Sequence, residues 1–254
     1  MFIESSNNDI IKLIVSLKEK KNRDEQSLFV VEGFKQVAEI PKDWKIKFIL
    51  ITKRYQEDFK LKKVYITTDK IFKKISGTKT PQEILAVVEK KHNDIEQVLS
   101  NKGLFIIIDT LQDPGNIGTI IRTAESFGVK GIFISNNSVD VYSDKVVRST
   151  MGAIFNIPII QECNIIQLIQ TLKQKQICTY AFSLDGKTSL SNTKFNDNVA
   201  IIIGNESKGI NKNILDIVDF KIKIDMLGKT QSLNAAVACS IAMYEISKQL
   251  NGIS

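Results

Sequence analysis

The stretch Leu104-Phe-Ile-Ile-Ile-Asp-Thr-Leu-Gln-Asp-Pro-Gly-Asn-Ile-Gly-Thr-Ile-Ile-Arg122 decides how the chain reads. Its first residues, Leu104–Ile108, are apolar without interruption, as expected of a strand covered on both faces of a parallel sheet. A polar loop with Pro and Gly follows, and helical spacing begins near Asn116. Strand, polar loop and helix repeat downstream. Gly131–Ile134, Ile177–Phe182, Val199–Ile203 and Phe220–Ile224 read as buried strands, and helices are expected at 116–127, 144–150, 164–175, 211–217 and 232–250. Upstream, the spacing of Ile10, Ile11, Leu13, Ile14 and Leu17 predicts a helix capped by Asn7 or Asn8. Strand-like runs follow at Leu28–Val31, Ile46–Thr52, Lys63–Thr67 and Ile84–Val88, with helical candidates around 33–39, 55–59 and 69–76. The polar segment 89–102 reads as a linker. The alternation implies an α/β architecture, divided into residues 1–97 and 98–254.

Composition supports a folded chain. The 254 residues are 43% hydrophobic and 25% charged, which excludes wholesale disorder, collagen and a disulfide-dense miniprotein. No apolar run approaches the ~20 residues needed to span a bilayer, and Met1 to Ile10 carries two acids and no basic flank of a signal peptide. Three cysteines, Cys163, Cys178 and Cys239, lack a CxxC spacing, which fits a reducing cytoplasm and argues against zinc. The single histidine, His92, lies in a charged stretch and reads as a surface residue, so no metal is expected. Net charge is +7. Residues 1–100 hold 20 of the 35 Lys and Arg against 15 of the 28 Asp and Glu, so most of the excess lies there. A polyanionic partner such as nucleic acid fits that asymmetry, and so does a lysine-rich, solubilising surface.

Three loops at predicted strand ends carry the polar residues and glycines, where open α/β sheets bind ligands. They are Asp109–Gly118, Gly204–Gly209 and Asp225–Asn234. Phosphate-loop chemistry is excluded. Gly-Lys-Thr occurs at 186–188 and 228–230, but the glycine required five residues earlier is Ala181 or Lys223. Asn116 and Arg122 stand six residues apart, nearly two helical turns. That spacing fits an anion site near a helix start joined to a permanently charged fork; it equally fits a capping Asn and a surface Arg. The glycines of Gly204–Gly209 allow close backbone approach to a ligand, or simply a surface turn. Ser232 opens a helix of small residues and is also a candidate cap.

Together and in this order, Asp113-Pro-Gly-Asn-Ile-Gly-Thr-Ile-Ile-Arg122, Ile203-Gly-Asn-Glu-Ser-Lys-Gly209 and Ile224-Asp-Met…Ser232-Leu-Asn-Ala-Ala-Val-Ala238 resemble the motifs of the TrmH (SpoU) family of RNA ribose 2′-O-methyltransferases, in the SPOUT superfamily. The N-terminal part is similar, less sharply, to the small ribosomal-protein-like substrate-binding domain many members carry, with Glu83 standing where a Pro-Gln-Gly string often has Gly. The resemblance implies an α/β-knot catalytic domain over 98–254, mostly parallel and trefoil-knotted, after an RNA-binding α/β domain over 1–97. It implies S-adenosylmethionine as methyl donor, held at Gly204, Asn205, Glu206, Ile224, Met226 and Leu233. It gives Asn116, Arg122, Glu206, Ser232 and Asn234 as the catalytic set. It further implies a cytoplasmic homodimer whose active site uses both subunits. Large-subunit rRNA is the expected substrate, with tRNA as the rival and a non-catalytic RNA-binding assembly factor or a small-molecule methyltransferase as more distant ones. The segment Lys18–Arg23 is the candidate basic patch for RNA.

Overall fold

The computed structural model describes residues 1–56, 63–230 and 232–251. They form two compact units. The first comprises the described residues of Met1–Lys91 with Asp140–Phe155; the second comprises His92–Val139 and the described residues from Asn156 onward.

The first unit contains β1 (Phe2–Ile3), α1 (Asp9–Ser16), α2 (Lys20–Gln26), β2 (Leu28–Glu32), α3 (Phe34–Ala38), β3 (Ile46–Thr52), β4 (Val64–Thr67), α4 (Asp69–Ile75) and β5 (Ile84–Glu89). Its five strands run in the order β1-β4-β3-β5-β2, with β5 antiparallel to both neighbours and β1, β4 and β3 parallel. Asn8 caps α1, its side chain accepting from the Ile10 N–H at 2.9 Å. Ile11, Ile14 and Leu17 bury one face of that helix region with Phe48, Leu50, Phe72 and Leu85. The expected helix at 55–59 is a short 3₁₀ turn over Lys53–Tyr55, and 57–62 lie outside the described residues.

The second unit contains α5 (Ile95–Leu99), β6 (Leu104–Ile108), α6 (Pro114–Ser126) and β7 (Gly131–Ser135). The chain then forms α7 (Asp144–Thr150), which belongs to the first unit, where it packs on β2. The second unit resumes with β8 (Ile159–Cys163), α8 (Ile165–Gln174), β9 (Cys178–Phe182), β10 (Thr188–Ser189), β11 (Val199–Ile203), α9 (Lys212–Leu215), β12 (Phe220–Lys223) and α10 (Ala235–Asn251). Its seven strands are all parallel, ordered β10-β12-β9-β11-β6-β7-β8, so their carboxyl ends share one edge. The uninterrupted apolar runs of β6, β7 and β11 are buried at every residue.

Three features depart from the sequence reading. The polar segment 89–102 contains α5, whose Val98 and Leu99 reach the core. Strand β8 went unseen because it is an edge strand, Ile-Ile-Gln-Glu-Cys behind Pro158, with neither a continuous apolar run nor a regular alternation. Arg23 is not a surface cation. It is 4% exposed, ion-paired to the equally buried Asp140 at 2.7 Å, and donates to the carbonyls of Leu17 and Lys18. That leaves Lys18, Lys20 and Lys21 as the exposed cations of the expected basic patch, with Lys20 paired to Asp24 at 2.6 Å.

A candidate active site at the carboxyl edge of the parallel sheet

The loops after β9, β11 and β12 and the start of α10 surround a cavity of about 630 Å³. That volume lies within the range of small-molecule sites. Gly204, Asn205, Glu206, Ile224, Met226 and Leu233 all line it, and so do Ser232 and Asn234. Asn116 and Arg122 do not.

The loop after β11 has one permitted shape. Asn205 and Gly209 exchange backbone hydrogen bonds of 3.0 and 2.9 Å, closing a tight turn. Gly209 adopts φ +69°, which favours glycine, and a Cβ on Gly204 would lie 2.3 Å from the Gly209 carbonyl carbon, so Gly204 requires glycine. The Asn205 side chain works within the loop: its oxygen accepts from the N–H groups of Ser207 and Lys208, and its amide donates to the Thr110 carbonyl at 2.8 Å. Asp109, at the end of β6, accepts from the Asn211 N–H at 2.9 Å. This carboxylate is 4% exposed, and burial holds its pKa above the usual carboxylate value despite that hydrogen bond. Asp109 and Thr110 thus tie one strand end to the neighbouring loop, roles that sequence reasoning missed. A charged residue directly behind an all-apolar strand was the available signal.

A second network crosses the same edge. Asp113 caps α6, accepting from the Asn116 N–H at 2.9 Å, with Pro114 in the first turn. The Asn116 amide donates to Glu206 at 2.9 Å and its oxygen accepts from the Asn234 amide at 3.0 Å. Asn234 in turn caps α10, accepting from the N–H groups of Ala236 and Val237. Asn234, and not Ser232, is therefore the cap, while Asn116, Glu206 and Asn234 form one hydrogen-bonded chain. Burial pushes the Glu206 carboxyl up, but hydrogen bonds from the Asn116 amide and from the N–H groups of Glu206, Asp113 and Gln112 outweigh it and leave its pKa low. Glu206 anchors Asn116 and not Arg122. Arg122 is exposed on α6 and, among the described residues, its guanidinium makes no hydrogen bond or ion pair.

The edge therefore offers glycine-shaped backbone, apolar walls from Ile224 and Leu233, and neutral amides beside one anchored carboxylate. Such a set suits an uncharged sugar and a nucleoside-bearing donor, and S-adenosylmethionine fits it in size and chemistry. Among the described residues no group of three or more His, Cys, Asp or Glu is placed to hold a metal ion.

Fold and site together match a family of RNA-modifying enzymes. The SpoU rRNA methylase family model matches residues 103–244, and an MRM3-like substrate-binding domain model matches residues 8–86. The chain belongs to the SpoU rRNA methylase family and is an S-adenosylmethionine-dependent RNA 2′-O-methyltransferase. Among its relatives is the 23S rRNA (guanosine(2553)-2′-O)-methyltransferase RlmP of Bacillus subtilis, 30% identical over 96% of this chain and 98% of that one. Similar solved structures include an AdoMet-bound rRNA methyltransferase from Sinorhizobium meliloti, 27% identical with a TM-score of 0.85 over 98% of this chain and 97% of that one. A putative RNA methyltransferase of the TrmH family from Porphyromonas gingivalis is 30% identical, with a TM-score of 0.83 over 92% and 95% of the two chains.

Proposed function

We propose that the protein methylates a ribose 2′-OH of large-subunit rRNA in the cytoplasm, acting as a homodimer. The observation that carries the substrate assignment is the extent of the likeness to the 23S rRNA enzyme, which runs through both units and not the catalytic half alone. In this reading residues 1–97 bind RNA and residues 98–254 catalyse, with the knot of the family formed around the loop Gly204–Gly209. Segment 140–155, catalytic by sequence position, serves the RNA-binding unit.

When bound, S-adenosylmethionine supplies a methyl group already activated by its sulfonium. Backbone groups at Gly204, Ile224 and Leu233 hold the donor, with Asn205, Glu206 and Met226 completing the site. Asn116, Ser232 and Asn234 offer neutral hydrogen bonds to ribose, and the anchor on Glu206 fixes the Asn116 amide before substrate arrives. Holding the attacking oxygen about 3–3.5 Å from the methyl carbon is the larger part of the rate enhancement. As the new oxygen–carbon bond forms, the carbon–sulfur bond breaks and the 2′-OH proton must leave. A guanidinium is a poor proton acceptor. Arg122 is assigned the grip on the target phosphate, which orients the 2′-OH and assists the removal of its proton.

The dimer is assigned to α6 and α10. Val237, Ile241 and Tyr244 recur at helical spacing on α10, and all three are exposed. The two helices pack together, with the Phe127 and Tyr244 rings 6.0 Å apart. Arg122, exposed on α6 and without a side-chain partner among the described residues, is assigned to the partner's cavity.

Transfer of labelled methyl to rRNA and, separately, to tRNA, followed by nuclease digestion, tests the reaction. A 2′-O-methylated nucleoside in rRNA supports the reading; label confined to tRNA overturns the substrate. Mixing subunits tests the dimer. Arg122→Ala and Asn234→Ala homodimers are each expected to lose about 100-fold in rate, comparable to losing one transition-state contact. Mixed after dissociation, they should recover about a quarter of wild-type sites, as heterodimers of a two-fold assembly. No recovery would place Arg122 in its own subunit's site.

A further inference from the structure

The first unit contains a pocket of about 280 Å³ that the methyl-transfer site does not use. Its walls carry an unused hydrogen-bond donor on a cation, the Arg148 guanidinium, although the Asp144 carboxylate lies close enough to attract it. Nη1 of Arg148 is buried with no hydrogen-bond partner among the described residues, a state that costs free energy until an acceptor arrives. The carboxylate in the wall, Glu32, is committed elsewhere: it accepts from the Ser76 hydroxyl, from Thr78 Oγ1 at 3.1 Å and from the Gly77 N–H at 2.9 Å. Lys35, also in the wall, is exposed and makes no ion pair among the described residues. The wall has neutral donors too. Gln82 gives its oxygen to the Phe34 N–H at 2.9 Å, leaving its amide hydrogens for a ligand, and the exposed Thr80 hydroxyl is likewise unengaged among the described residues.

Beside these groups stands an aromatic surface. Phe34, between the wall residues Gly33 and Lys35, is 43% exposed; its ring lies 6.0 Å from that of Tyr55 at an angle of 30°, and the Arg54 guanidinium sits 5.6 Å over Tyr55. An exposed ring backed by a half-buried one, beside cations and amide donors, is a surface on which an unpaired nucleotide can stack. A base inside a duplex would first have to be unstacked and unpaired, at a cost in free energy, to enter such a pocket. An acidic peptide would use the cations and leave the rings idle.

We propose that this pocket receives one unpaired nucleotide of the RNA substrate, its base against Phe34 and Tyr55 and its phosphate on Lys35 and Arg148. The proposal rests on the reading of RNA as substrate and names where an unpaired nucleotide is recognised, away from the reacting ribose. Arg148 comes from segment Asp140–Phe155, so the pocket exists only when that segment is seated in the first unit.

The test is fluorescence anisotropy of the full-length protein with a labelled single-stranded RNA of about twelve nucleotides, within the usual footprint of such sites, and with its duplex. Phe34→Ala and Arg148→Gln, each checked for a native melting profile, should weaken single-strand binding about tenfold, the effect of one lost stacking or phosphate contact. Duplex binding should not change, and Phe34→Tyr should restore wild-type affinity. In methyl transfer the KM for RNA should rise by the same factor while kcat at saturating RNA holds. Should Arg148→Gln not fold, Lys35→Ala replaces it. Unchanged single-strand affinity in folded Phe34→Ala overturns the proposal, and so does an equal loss on duplex. Because binding is read without methyl transfer, a wild type that transfers methyl while Phe34→Ala binds normally rejects the pocket alone. A wild type that transfers none while Phe34→Ala loses RNA rejects the reaction and keeps the pocket.

Discussion

The two units use their polar residues in opposite ways. In the first, Arg23 and Asp140 face each other inside the protein, each 4% exposed, and Glu32 is enclosed by hydroxyls and an N–H. In the second, the half-buried Asn116 and the exposed Glu206 and Asn234 are joined by amide hydrogen bonds at the carboxyl edge of the sheet, while Arg122 has no partner among the described residues. A buried, paired charge is a strong constraint on folding and a poor instrument for binding, because its bonds are already made. An exposed amide held by one neighbour keeps capacity for a ligand and costs little to maintain. The contrast between Arg23 and Arg122 is therefore a contrast between fold and function, written in the same residue type.

The largest test of that contrast is Asp140→Ala. It strands a buried guanidinium and should cost about 3–5 kcal/mol, read by urea unfolding, with intrinsic methyl-transfer rate per folded molecule preserved. Replacing both partners, Arg23→Met with Asp140→Leu, should return most of that loss, since an apolar pair of similar size carries no desolvation cost. A loss below about 1 kcal/mol for Asp140→Ala would mean the pair behaves as a surface bridge, and the contrast would fail.

Asp109 sharpens the comparison because it is a buried carboxylate in the same unit as the exposed Glu206 and Arg122. Asp109→Ala leaves the Asn211 N–H without its acceptor and should cost about 1–3 kcal/mol, with weaker S-adenosylmethionine binding as the Gly204–Gly209 loop loosens. Asp109→Asn keeps an accepting oxygen and should nearly spare both. The pH dependence separates them further. Burial raises the folded pKa of Asp109 above 3.8, so the folded state binds more protons than the unfolded one in the window just above that value. Wild-type stability attributable to this group therefore falls as pH rises through the window, and Asp109→Asn should remove that slope. A slope that persists unchanged in Asp109→Asn would assign it to another carboxylate.

How much of this was legible depends on whether the signal was local. Val199–Ile203 and Leu104–Ile108 announce covered strands because five apolar residues in a row admit few other fates. The helix at 144–150 was equally visible, yet nothing in Asp144–Thr150 says that Val146 and Val147 are buried in the first unit and not beside their sequence neighbours. Arg23 looked like its lysine neighbours, and its partner lies 117 positions away. At the site, the glycine-bearing loops and Asn116, Glu206 and Asn234 stood out by their place at strand ends. What stayed hidden was their order of connection, in particular that Asn234 caps α10 and that Glu206 holds Asn116 and leaves Arg122 free.

Glu83 provides the smallest test, and it concerns the first unit. It occupies φ +59°, a left-handed conformation that glycine adopts without strain and that costs a residue with a Cβ about 1 kcal/mol. This explains physically why glycine is the residue the family pattern favours there. Against the strain stands a hydrogen bond from Thr52 Oγ1 to the Glu83 carboxylate at 3.0 Å. Glycine would relieve the strain but lose that bond and loosen the unfolded chain, two losses of roughly 0.5–1 kcal/mol each. Glu83→Gly should therefore change stability by less than about 1 kcal/mol, in contrast to Asp140→Ala. Glu83→Gln, which keeps an acceptor and the strain, should lie close to wild type. A destabilisation of more than about 2 kcal/mol in Glu83→Gly with Glu83→Gln unaffected would show that the Thr52 bond outweighs the backbone strain, and that even this partly exposed carboxylate belongs to the fold-maintaining set.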